Sequence, residues 1–136
     1  MLHQKKWNKG MFANCLGLKG RTLGLIGFGS VAQKVLPIAE ALGLKVIVHT
    51  RTVKEQFKHI KFVALNELLS QSDIVSLHVP FSEKTEGLVN GPFLQKMNAT
   101  AVLINTAHSG LVVDSDLAQH LADNKSFHYA ADVFED

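Results

Sequence analysis

The residues whose types and spacing can do chemistry start with a small-residue loop, Gly27-Phe28-Gly29-Ser30-Val31-Ala32. It lies between an apolar run and a helical pattern. In that setting Gly27 permits a tight turn, Gly29 lets the backbone approach an anion, and Ala32 keeps the helix against the strand. The helix start then offers unpaired N–H groups and a positive dipole end. Glycine patterns of this kind are often plain turns, but the strand–turn–helix context is the one that recognition of a dinucleotide pyrophosphate requires. Gly27, Phe28, Gly29, Ser30 and Val31 are therefore expected to bind a dinucleotide cofactor.

A second cluster follows about 20 residues on, where an acid normally holds the ribose hydroxyls of NAD. Here the chain reads Thr50-Arg51-Thr52-Val53-Lys54, with two cations and no acid. A guanidinium fork suits a 2′-phosphate. Thr50, Arg51, Thr52 and Lys54 are thus expected at the cofactor, which is NAD or NADP with a lean towards NADP. A solvated polar loop is the alternative reading. No metal site is expected.

These residues need a frame, and the apolar pattern supplies one. Runs at residues 22–27, 44–49, 74–79, 101–105 and 127–133, with a weaker one at 60–63, are rich in Val, Ile and Leu with little polar alternation. Continuous runs are the mark of parallel strands covered on both faces. Helical segments fall between them at 30–42, 65–71, 90–97 and 114–124. The first is expected to bury Val31, Val35, Ile38 and Leu42 and to bend slightly at Pro37. The last is expected to start on Asp114 as N-cap and to bury Leu117 and Leu121. The alternation predicts an α/β fold, a doubly wound parallel Rossmann sheet of order 3-2-1-4-5-6 with right-handed crossovers, truncated after the sixth strand. Residues 1–20 read as a lead-in segment and 21–136 as a dinucleotide-binding domain.

Bulk properties bound the answer. A chain of 136 residues, 46% hydrophobic and 19% charged, fits one globular domain. No apolar run reaches the ~18 residues of a membrane helix, and no secretory signal is evident. The single cysteine, Cys15, rules out an internal disulfide and fits a reducing, cytoplasmic setting, with a mitochondrial or plastid matrix left open. Net charge is +2, yet no Asp or Glu precedes Glu40, while Lys5, Lys6, Lys9, Lys19, Arg21 and Lys34 do. That asymmetry is either a solvated basic face or an attraction for anions. Nucleic acid is a poor fit, because no aromatic platform accompanies the lysines.

Four segments, in order, resemble the nucleotide-binding domain of the D-isomer-specific 2-hydroxyacid dehydrogenases. They are Gly17-Leu18-Lys19-Gly20-Arg21-Thr22-Leu23-Gly24 running into the glycine loop; residues 68–80, ending His78-Val79-Pro80 and continuing to Thr85, Gly87, Leu88 and Asn90; Leu103-Ile104-Asn105-Thr106-Ala107 with Gly110-Leu111-Val112; and Ala131-Asp132-Val133-Phe134-Glu135. The lead-in Trp7-Asn8-Lys9 is most similar to phosphoglycerate dehydrogenases. The resemblance implies hydride transfer between a 2-hydroxy acid and nicotinamide. It implies that His78, Val79 and Pro80 line the nicotinamide ribose, that Thr85 belongs to the cofactor site, that Thr106 and Ala107 sit beside the nicotinamide, and that Asp132 accepts from its carboxamide. It also implies a homodimer formed by this domain, with Trp7, Met11, Phe12 and Leu16 as available apolar surface.

Two departures stand out. The family has an Arg after Asn-Thr-Ala to bind the substrate carboxylate, and this chain has His108-Ser109. A neutral imidazole offers one donor in place of a cationic fork. His108, at the family's Arg position, is therefore a catalytic candidate as well as a cofactor-contact candidate. The family's Glu–His proton-transfer pair would fall beyond Asp136, and its substrate domain is not represented. The expected function is a NAD(P)-binding domain of D-2-hydroxyacid dehydrogenase type, inactive as this chain alone. A non-enzymatic dinucleotide-binding or scaffold protein derived from the family is the alternative. A fragment, a truncated gene product and a domain kept for binding all satisfy the pattern.

Overall fold

The computed structural model describes residues 17–133. The candidate dimer residues Trp7, Met11, Phe12 and Leu16, together with Cys15, Phe134 and Glu135, lie outside the described residues. Six strands form one parallel sheet: β1 (Thr22–Ile26), β2 (Lys45–His49), β3 (Lys61–Phe62), β4 (Ile74–Leu77), β5 (Val102–Asn105) and β6 (His128–Ala131). Their spatial order is β3-β2-β1-β4-β5-β6, as the sequence predicts. Helices α1 (Ser30–Ala41), α2 (Leu65–Gln71), α3 (Gly91–Lys96) and α4 (Asp114–Asp123) connect them. Among the described residues, no helix is long and apolar enough to cross a membrane.

Strand side chains alternate between two cores, which is why the runs read as continuously apolar. Leu23, Leu25, Val48 and Ile74 join α1 and Phe28 on one face. Ile26, Ile47, Val75, Leu77 and Leu103 join α2, α3 and α4 on the other. Gly24 is the thinnest point of β1: a Cβ there would collide with the Ser72 hydroxyl and the Leu68 side chain, so the missing side chain lets α2 lie close. The Asp73 carboxylate, at the entry to β4, accepts from the Thr22 amide at 2.9 Å and ties the starts of the two central strands together.

Two expectations require correction. The buried face of α1 is Ala32, Leu36 and Ala39, with Val35 packed at its edge. Val31, Ile38 and Leu42 are 61%, 63% and 52% exposed. The helix carries two apolar stripes one residue apart, and the smaller side chains win because Ala32 must lie flush against the strand. Pro37 sits within this helix and leaves it one backbone donor short. In α4 the N-cap is Val113, and Asp114 is the first helical residue. Val112 bridges to Val89, and the Val113 amide donates to the Val89 carbonyl, which keeps the backbone extended one residue further than the Asp suggests. Asp114 and Asp116 still complement the helix dipole from the first turn. Leu117 is buried and Leu121 packs against the core, as expected.

Candidate functional site

The carboxyl ends of a parallel sheet leave a crevice where neighbouring crossovers depart to opposite faces. In this chain that crevice lies between β1 and β4. It opens into a cavity of about 430 Å³ lined by Gly27, Phe28, Gly29, Thr50, Arg51, Thr52, Lys54, His78, Val79, Pro80 and Thr85, all expected from sequence. A separate cavity of about 110 Å³ at the ends of β5 and β6 takes in Ala107, His108 and Asp132. Ser30 and Val31 open α1 but line neither cavity, and neither does the exposed Thr106.

The glycine loop is built as its residue types dictate. Gly27 has φ +90, and a Cβ would stand 2.5 Å from the His78 carbonyl oxygen. Its amide donates to the His49 carbonyl at 2.8 Å, closing the turn onto β2. Gly29 is different. Its φ is −80, and a Cβ would meet nothing within 4 Å. The protein itself makes no demand for glycine there, so the open space is a cradle that a ligand can fill. No side chain caps the start of α1, which leaves its first amides available to an anion. The Phe28 side chain is core, edge-on to Phe57 and Phe62, so this residue presents only backbone to the cavity.

The cavity is electropositive. Arg51, Lys54 and Lys84 line it, and among the described residues no Asp or Glu does. His78 is half-buried, and burial holds its imidazole below the usual histidine range, favouring the neutral ring. Its Nε2 pairs with the Ser76 hydroxyl at 2.9 Å. The Thr85 hydroxyl donates to the Pro80 carbonyl at 2.7 Å and accepts from the Ser82 amide at 2.8 Å. It therefore shapes the loop after β4 as well as lining the cavity.

Beside the smaller cavity, Asn105 is 2% exposed and organises the turn that follows β5. Its side-chain oxygen accepts from the Ala107 and His108 amides at 3.1 and 3.3 Å, and its nitrogen donates to the His108 carbonyl at 2.8 Å. His108 Nδ1 accepts from the Gly110 amide at 3.0 Å. The sequence reading missed His49, Ser82, Lys84 and Leu88 as lining residues. For His49 the available signal was its position as the last residue of a predicted strand. Lys84 sits in an irregular loop, where no periodicity marks it.

Comparison with known proteins matches this architecture. The model of the D-isomer specific 2-hydroxyacid dehydrogenase NAD binding domain matches residues 1–136. Hydroxypyruvate reductase of Thermotoga maritima is 35% identical over 134 residues, covering 98% of this chain and 44% of that protein. D-3-phosphoglycerate dehydrogenase 1 of Saccharomyces cerevisiae is also 35% identical over 134 residues, covering 98% of this chain and 28% of that protein. Among solved structures, the NAD-complexed D-isomer specific 2-hydroxyacid dehydrogenase of Lactobacillus delbrueckii superposes with a TM-score of 0.84 at 29% identity, covering 97% of this chain and 41% of that one. The chain spans less than half the length of each of these relatives. Its sheet order, its glycine loop and its match to the family along its whole length make one conclusion: the chain belongs to the D-isomer specific 2-hydroxyacid dehydrogenases, as their NAD-binding domain.

Proposed function

We propose that residues 21–136, preceded by the lead-in 1–20, bind a nicotinamide dinucleotide along the carboxyl edge of the sheet. The observation that carries this is the open space beside Gly29, set against an uncapped helix start and a cavity that no carboxylate lines among the described residues. The amides of Gly27, Phe28, Gly29, Ser30 and Val31 hold the pyrophosphate. Thr50, Arg51, Thr52 and Lys54 face the adenosine ribose. His78, Val79, Pro80 and Thr85 face the nicotinamide ribose. Thr106, Ala107, His108 and Asp132 meet the nicotinamide. The bound cofactor supplies hydride chemistry, and the protein's part is to bind and orient it. Residues 1–136 alone catalyse no 2-hydroxyacid oxidation.

With two cations, Arg51 and Lys54, at the adenosine-ribose end and no acid among the described lining residues, NADPH binds at least as tightly as NADH. Arg51→Ala is expected to weaken NADPH by about tenfold or more, the worth of a charge-assisted pair, and to leave NADH nearly unchanged. Calorimetric titration of both cofactors decides it. A clear preference for NADH that the substitution does not alter contradicts the assignment.

Self-association is the second reading favoured by a specific observation. Val31, Ile38 and Leu42 put apolar side chains on the outer face of α1, and large exposed apolar surface marks interfaces. The chain is expected to sediment as a dimer at micromolar concentration, and a clean monomer refutes this.

A further inference from the structure

We propose that Phe81 is a positioning residue that fixes His108 as a single neutral tautomer with its Nε2–H as the one donor offered to a ligand. The two rings stack with centroids 4.3 Å apart and planes 17° from parallel. They come from different loops, Phe81 after β4 and His108 after β5. The stack needs Gly110 beneath it, because a Cβ there would stand 2.5 Å from Phe81 Cε2. The Gly110 amide then donates to His108 Nδ1 at 3.0 Å. A ring nitrogen that accepts a hydrogen bond carries no proton, so the neutral ring keeps its hydrogen on Nε2. The backbone of His108 is held independently by Asn105 on both its amide and its carbonyl.

The cavity that His108 lines also holds Asp132, and among the described residues no Lys or Arg lines it. A carboxylate group would meet only uncharged donors, those of His108, Asn105 and Ser109, and one like charge there. An uncharged acceptor fits better, and an amide fits best, since its oxygen takes the Nε2–H while its nitrogen donates to the carboxylate. Resting on the dinucleotide reading above, the inference is that His108 reads the uncharged nicotinamide end of the cofactor and does not clamp a substrate carboxylate.

The test is nitrogen-15 NMR of the imidazoles in residues 1–136 at pH 8, where an ordinary imidazole is neutral. The wild type is expected to show His108 protonated on Nε2 only. Phe81 is 44% exposed, so Phe81→Leu leaves the core intact. That variant is expected to average the two tautomers, and Phe81→Tyr to restore the single one. NAD⁺ is expected to shift the His108 Nε2 signal, while ADP-ribose, which lacks the nicotinamide, binds without doing so. Phe81→Leu is expected to weaken NAD⁺ about fivefold, the worth of one neutral hydrogen bond, and to leave ADP-ribose unaffected. A Phe81→Leu protein that keeps the wild-type tautomer overturns the positioning role. Binding of NAD⁺ that leaves His108 unmoved overturns the ligand assignment and spares the dinucleotide reading. Failure of both ligands to bind removes that reading and this inference with it.

Discussion

Gly27→Ala is expected to destabilise the domain by about 2–5 kcal/mol, a large part of the roughly 5–15 kcal/mol that holds a domain of this size together. Two costs act at one Cβ. A left-handed backbone at φ +90 costs an L-residue about 1–2 kcal/mol. The Cβ is also driven against the His78 carbonyl and its carbon, at 2.5 and 2.7 Å, and overpacking of this kind costs about 1–3 kcal/mol. Relief is difficult, because the obstructing atoms are backbone of the loop leaving β4, and the His78 amide is bonded to the Ile26 carbonyl at 2.7 Å. Urea melts of the two proteins measure the difference. A midpoint equal to wild type would show that the turn is not built as described.

No turnover of hydroxypyruvate, glyoxylate or phosphohydroxypyruvate is expected from residues 1–136 with saturating NADH or NADPH, and His108→Arg is not expected to restore it. Reduction of a 2-oxo acid builds negative charge on the carbonyl oxygen. Loss of one oxyanion-stabilising donor costs about 100- to 1000-fold. Loss of a general acid costs about 100- to 10,000-fold more. The chain has His108 where its family has an Arg, and no residue in its 136 matches the family's Glu–His pair. The two histidines nearest the expected nicotinamide path do not replace that pair. They line different cavities, and each already spends a ring nitrogen locally, His78 on Ser76 and His108 on Gly110. Cofactor absorbance is the assay. Turnover that disappears in His108→Ala establishes that histidine as catalytic and reverses the conclusion.

The sheet was legible in sequence because its central strands are buried on both faces and so read as uninterrupted apolar runs. The glycine turn was legible because Gly27 has a backbone reason to be glycine. Gly29 has none inside the protein, and the open space beside it emerges only from the fold. The buried stripe of α1 was misread because side-chain size is a poor guide where a helix must lie close. Ala32 and Ala39 are buried, whereas the bulkier Val31 and Ile38 face outward. Lys84 and the Phe81–His108 stack were out of reach, since both depend on how loops from different strands meet over the sheet. Asp132 illustrates the reverse case. Its type alone says little, but the order of matched segments singled it out, and it lines the same cavity as His108.

The space beside Gly29 is proposed to be kept for a dinucleotide pyrophosphate. Calorimetric titration of NADH and NADPH into wild type and Gly29→Ala, with a thermal melt of each protein, tests it most directly. Saturable one-to-one binding to wild type is expected, with binding to Gly29→Ala about tenfold weaker or more through lost charge-assisted amide contacts, and the same melting temperature for both proteins. No saturable binding of either cofactor to wild type, or equal affinity in Gly29→Ala, contradicts it.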